Sequence, residues 1–209
     1  MTITTDTTRF ELLHALAVKG LASDSVLAAM TGLDESGLAA AVAAALDEGV
    51  VTRRDGRISG TMITPAGREQ LARLRVENRL SDQQRQAVAA AYTAFLPVNG
   101  DFKRVCAAWQ MRDETTPNDH RDADYDAAVI ADLGTIHGRV DAVLAGAAKD
   151  LPRLQRYRHR LADALDRVRN GDASAFARPM NDSYHDVWME LHQDLLLTAD
   201  RERGADDEG

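Results

Sequence analysis

Arg53, Arg54 and Arg57 surround an Asp55-Gly56 pair. Guanidinium groups clustered at a tight turn suit a grip on phosphate oxygens, because each planar fork can donate two parallel hydrogen bonds to an anion. The same pattern also fits an ordinary solvated hairpin tip. A second set of chemically capable residues lies in the C-terminal part, with five histidines (His120, His137, His159, His185 and His192) and both tryptophans. Asp182, His185, Met189 and His192 are spaced to share one face of a helix, with His137 in a neighbouring segment. Three converging ligands of this kind would suit zinc or nickel. His185 and His192, however, stand about 10 Å apart along a helix axis, too far to share one ion without intermediate ligands. The expectation is no tightly bound metal and no cofactor, with these histidines partly exposed or bonded to Asp194 or Glu190.

Asn99, Trp109, Arg112, Tyr184 and Trp188 are candidates to line a small-molecule effector pocket, although aromatics at helical spacing equally fit a packed core. Arg153, Arg156, Arg158 and Arg160 crowd one helix start, where they would bind an anion or, with Asp150, Asp163 and Asp166 nearby, form a solvated ion-pair face. Cys106, between Val105 and Ala107, reads as a buried thiol. No nucleophile motif, glycine-rich phosphate loop or dinucleotide fingerprint occurs, so no catalytic residues are assigned and the chain does not read as an enzyme.

These groups must be positioned by a chain of 209 residues, 44% hydrophobic, 28% charged and only 5% aromatic. That composition predicts one or two globular domains, rich in helix. The single cysteine excludes an internal disulfide and a zinc ribbon, and the absence of a signal-peptide pattern or bilayer-length apolar run predicts a cytoplasmic protein with no membrane partner. A net charge of -8 argues against a general nucleic-acid coat. The charge is uneven, since residues 1–80 carry nine basic and ten acidic side chains and most of the excess acid follows them.

Apolar spacing predicts a helix through Phe10, Leu13, Leu16 and Ala17, a second over Ser23–Met30, and a third with Leu38, Val42, Ala45 and Leu46 inward. Glu35, Ser36, Ala39, Ala40 and Ala43 then face outward on the third, followed by Asp47 and Glu48. From Val50 the period becomes extended, and Asp55-Gly56 predicts a hairpin ending at Ile63. Thr64-Pro65 predicts a new helix from about Ala66, broken near Ser81 and continuing to Phe95. The five prolines read as punctuation, with further helices at 101–111, 124–148, 154–169 and 180–202, Asn99 or Asp101 as a cap, and an acidic tail at 204–209.

The order of the first eighty residues resembles the winged helix-turn-helix of MarR-like bacterial regulators. The resemblance rests on Ala28-Ala29, Gly32-Leu33, Leu38, Val42 and Leu46, on Asp47-Glu48-Gly49-Val50-Val51 entering the wing, and on Ile63-Thr64-Pro65-Ala66-Gly67-Arg68 leaving it. It implies a mostly α fold: a winged module with a small β-hairpin wing at 1–80, then an antiparallel helical bundle at 81–203 that binds an effector or a second copy. It further implies DNA as a partner, a homodimer on paired half-sites, and contacts from Ser36, Ala39, Ala40, Arg53, Arg54 and Arg57. The third helix offers no basic side chain to a groove, which leaves the wing arginines as the counterweight. A looser resemblance, through the Leu12–Gly20 opening and the Ile63–Arg68 exit, is to helix-turn-helix segments accompanying actinobacterial pyruvate phosphate dikinase-type proteins. It implies an adaptor that docks a protein, such as a phosphoenolpyruvate-utilising enzyme. The loose arrangement of Asp182, His185 and His137 is also similar to the metal-holding effector domains of GntR-type regulators.

Overall fold

The computed structural model describes residues 5–56 and 58–201; the expectations for Arg57, for Glu202 and for the 204–209 tail lie outside them. The fold is mostly helical with one small three-stranded antiparallel sheet. The chain divides into two compact units at Ser81 and Asp82.

The first unit runs α1 (Thr5–Lys19), β1 (Leu21–Ala22), α2 (Asp24–Thr31), α3 (Glu35–Asp47), β2 (Val51–Arg54), β3 (Gly60–Ile63) and α4 (Pro65–Glu77). Capping explains the breaks. Ser23 accepts from the Val26 N–H and Asp34 from the Gly37 N–H, starting α2 and α3, while Gly32 closes α2 in the left-handed region at φ 71°. Leu12, Leu13, Leu16, Leu27, Leu38 and Val42 form the core. The sheet order is β1-β3-β2, so β3 is central; β1, two residues long, was too short to leave a periodic signal. Arg54 pairs with Gly60, so the hairpin loop is longer than the Asp55-Gly56 pair alone predicts.

At the exit from the sheet, the Thr64 N–H donates to the Val50 carbonyl (3.1 Å), and the Thr64 hydroxyl both donates to the Gly49 carbonyl (2.9 Å) and accepts from the Gly67 N–H (3.1 Å). This lays the first turn of α4 on the Val50 carbonyl. A Cβ at Gly67 would stand 2.0 Å from that oxygen, so only glycine fits.

The second unit contains α5 (Asp82–Gln110), α6 (Ala123–Ala147), a 3-10 turn at Pro152–Leu154, α7 (Gln155–Arg169), α8 (Ser174–Ala177) and α9 (Tyr184–Thr198). The break expected near Ser81 lies at 78–81 and separates α4 from α5, which runs on past the expected end at Phe95 to Gln110. Pro97 does not punctuate; it lies inside α5 with its ring exposed, and the buried faces on either side, Tyr92 and Phe95 before it and Val98 and Phe102 after it, hold the helix through the missing backbone bond. Asn99 and Asp101 are accordingly mid-helix residues rather than caps.

α9 begins four residues later than expected, with Ser183 as its N-cap, because Met180 and Asp182 both adopt left-handed backbone, at φ 60° and 49°. Its apolar face is consumed within this unit, where Val187, Trp188, Leu191, Leu195 and Leu196 are buried. Among the described residues no single helix is long and apolar enough to cross a membrane.

Two substitutions test this packing. Gly67→Ala should destabilise the first unit by about 3 kcal/mol or more, seen in urea denaturation of the full chain. The Thr61 hydroxyl is fully buried without a hydrogen-bond partner, so Thr61→Val should stabilise by about 1 kcal/mol.

Candidate functional site

In the first unit, α2 and α3 meet at 107° across the Gly32-Leu33-Asp34 turn. Glu35, Ser36, Ala39, Ala40, Ala43, Ala44 and Asp47 are exposed along the outer side of α3, and Leu38, Val42 and Ala45 are buried on the other. The Ser36 hydroxyl donates to the Asp34 carboxylate at 3.1 Å. That bond, after the Gly37 N–H, holds the Asp34 carboxyl below its ordinary value. Ala39 and Ala40 present methyl groups alone.

β2 packs beside α3 and carries Arg53 and Arg54, both exposed. Arg53 is already engaged: its two terminal nitrogens donate to the two carboxylate oxygens of Asp24, in the first turn of α2, at 2.7 and 3.1 Å. Residue types suggested a cationic tip, whereas the fold supplies an anion to one of its arginines. The signal was beyond sequence reading, because Asp24 is 29 positions away.

The helical unit distributes its predicted site residues between two places. Asn99, Tyr184 and Trp188 meet in the core: the Trp188 indole N–H donates to Asn99 Oδ1 at 2.8 Å, Trp188 stacks on Phe102 at 4.2 Å, and Tyr184 and Trp188 are fully buried. Trp109 lies elsewhere, parallel to Phe176 at 4.3 Å, with His120 against it. Arg112 is exposed, paired with Asp122 and lying 4.6 Å over the Tyr125 ring. The five do not line one site.

The arginines near the start of α7 differ most from expectation. Arg153, Arg158 and Arg160 are not a solvated face; they reach carboxylates of α6, of α9 and of the segment before α9. Arg160, buried, donates to Glu190 (2.6 Å) and to Asp182 (2.6 Å). Burial alone would lower the proton affinity of this guanidinium, but the two carboxylates outweigh it and raise it. Asp194, also buried, accepts from Tyr157 (3.0 Å), Thr198 (2.8 Å) and Arg153 (3.2 Å). Arg158 grips Asp141 of α6 at 2.7 and 2.9 Å. Sequence reading missed this seam, although Arg153, Tyr157 and Arg160 opposite Glu190 and Asp194, all at helical spacings, carried its signal.

The candidate metal ligands do not converge. Asp182 lies before α9 and is held by Arg160; His185 stacks on Phe102; buried His192 packs against Phe95 and Tyr92; His137 approaches the Tyr184 hydroxyl at 3.3 Å. His120, in the 111–122 loop, pairs with Asp126 at 3.1 Å. Among the described residues no group of three His, Cys, Asp or Glu side chains is placed to hold a metal ion. Burial pushes the Cys106 thiol up to about 12, leaving it protonated.

No family model matches the chain, and no match was found among the curated proteins or the solved structures compared with it.

Two measurements test the buried chemistry. Arg160→Met leaves Glu190 buried beside an apolar side chain and should cost about 3–5 kcal/mol, with the Arg160→Met/Glu190→Leu pair recovering part of the loss in a double-mutant cycle. Burial holds His137 and His185 below their ordinary 6.5. As the pH falls through 6.5 the unfolded chain takes up these protons first, so stability should decline over that range and approach a floor below the folded-state values. Urea titrations between pH 7.5 and 5 should show this slope reduced in His137→Gln/His185→Gln.

Proposed function

We propose that the first unit is a winged helix-turn-helix, that α5, α6, α7 and α9 form an antiparallel bundle, and that the protein is a DNA-binding transcriptional regulator. The observation that carries this reading is the 107° pair of α2 and α3, with the outer side of α3 exposed beside a hairpin bearing Arg53 and Arg54. Two helices at such an angle across a short glycine-containing turn are the arrangement that lays a second helix in a major groove. The hairpin is then the wing, reaching flanking phosphates or a minor groove. Paired half-sites call for two copies, so the regulator would act as a homodimer, and the bundle would supply effector binding or pairing.

Affinity in this reading comes from phosphate contacts more than base contacts. Ala39, Ala40 and Ala43 can touch thymine methyl groups, and Ser36 can donate once released from Asp34. A second reading, a winged adaptor that docks a protein, is favoured by one observation: the exposed side of α3 is alanine bordered by Glu35 and Asp47, with no cation on it. Such a face suits a small apolar contact rimmed by basic residues of a partner, with a phosphoenolpyruvate-utilising enzyme the candidate that the looser resemblance names.

Electrophoretic shifts with the region upstream of the protein's own gene separate the two. A regulator should form a complex at low salt, and Arg53→Ala/Arg54→Ala should weaken it and make the log–log salt slope shallower by about 1 for each phosphate no longer gripped. Absence of any complex at low salt would favour the adaptor.

A further inference from the structure

The Arg53–Asp24 pair has a consequence for the proposed nucleic-acid face, and the inference rests on that reading. Arg53 on β2 and Asp24 at the start of α2 meet fork to fork, with side chains 38% and 56% exposed. Neither residue is needed by its own element. α2 is capped by Ser23, whose oxygen accepts from the Val26 N–H, and β2 is held by its ladder to β3. The pair therefore links α2 to β2 without serving the structure of either.

A guanidinium fork recognises a carboxylate and a phosphate by the same geometry, two parallel N–H donors to two oxygens. We propose that Asp24 is an internal stand-in for a backbone phosphate: its carboxylate fills the Arg53 fork and holds the affinity of this face for nucleic acid low. The contact is autoinhibitory for two reasons. A phosphate arriving at Arg53 must first displace the carboxylate, and the displaced carboxylate then remains beside the phosphate as a like charge. Both partners are exposed, so the pair itself is weak and a polyanion can compete with it.

The surrounding charges leave few substitutes for Arg53. Asp34 and Glu35 open α3 and Asp47 ends it, and Arg54, the other described arginine on β2, projects from the opposite face of the strand. With so few cations among the described residues of this face, the state of one guanidinium sets a large share of the attraction. Two hydroxyls, Ser23 and Ser25, lie 2.9 Å apart on either side of Asp24 in sequence and would be neutral donors to a phosphate there.

The test is fluorescence anisotropy of the full-length protein with a labelled duplex from its upstream region and with one of unrelated sequence, at sodium chloride from 25 to 200 mM. Wild type, Asp24→Asn, Asp24→Asn/Arg53→Ala, Asp47→Asn and Arg54→Ala are compared. Asp24→Asn should bind both duplexes about tenfold more tightly at the lower salt concentrations, with a slope steeper by about 1 for each copy bound. Asp24→Asn/Arg53→Ala should return close to wild type, because the gain is routed through Arg53.

If Asp24→Asn binds like wild type while Arg54→Ala weakens binding, the gate is refuted and the regulator reading stands. If Asp24→Asn/Arg53→Ala stays as tight as Asp24→Asn, the gain does not pass through Arg53 and the gate is refuted; if Asp47→Asn, which makes the same change in charge at the end of α3, tightens binding as much as Asp24→Asn, the gain is one of net charge alone and the gate is again refuted. If no variant binds either duplex at 25 mM, the regulator reading fails with it. Thermal midpoints provide the remaining control: a pair that is merely a strut lowers stability on removal of either partner and leaves binding unchanged.

Discussion

The burial of Arg160 against Glu190 is the constraint around which the helical unit is arranged. A guanidinium and a carboxylate withdrawn from water are tolerable only if each finds its charge partner with good geometry. Meeting that condition sets the register of α7 against α9: with Arg160 level with Glu190, Tyr157 falls level with Asp194 one turn away, and Arg153 reaches Asp194 and Thr198 one turn further. The second bond of Arg160, to Asp182, reaches back to the left-handed segment before α9. A core of leucine and alanine alone would accept several slid arrangements of two helices. The ionic seam accepts one, which is the use of buried polarity best supported on physical grounds.

The first unit solves the corresponding problem with backbone rather than charge. Val50 leaves α3 and enters the sheet while its carbonyl receives the Thr64 N–H, and α4 starts against the same oxygen because Gly67 has no Cβ to keep it away. Three elements thus converge on one carbonyl, fixing where the hairpin lies relative to α3. The proposed DNA-reading face depends on that placement.

The proposed face is notable for its weakness as a polyanion site. Its central helix is alanine outside and leucine, valine and alanine inside, and its rim is acidic. One of its two described hairpin arginines is matched by a carboxylate of the same unit. An anion-binding surface normally gains from accumulated positive potential, whereas here the local sum is held down by the protein's own acids. If the unit regulates transcription, its affinity for DNA is set low and rests on few contacts; if it docks a protein, the same balance keeps nucleic acid away.

Local signals decided the elements. The helix start at Thr64-Pro65, the Gly32-Leu33 turn and the apolar stripes of α1 and α3 were legible because each depends on residues within a turn or two of one another. The outward set of α3 was legible for the same reason, since a helix with Leu38, Val42 and Ala45 inward has no freedom in which residues face out. The partners of charged groups depend on neighbours brought together by packing, and these the tertiary structure decided. Arg53 found Asp24, Arg160 found Glu190, and Asn99 became the buried acceptor for Trp188, where local reading had a wing arginine facing phosphate or solvent, an anion site or solvated ion-pair face, and a pocket residue or cap. Pro97 belongs with them. Its local preference is to end a helix, but burying Phe95, Val98 and Phe102 on one continuous face stabilises the chain by more than the proline costs, and the helix runs on.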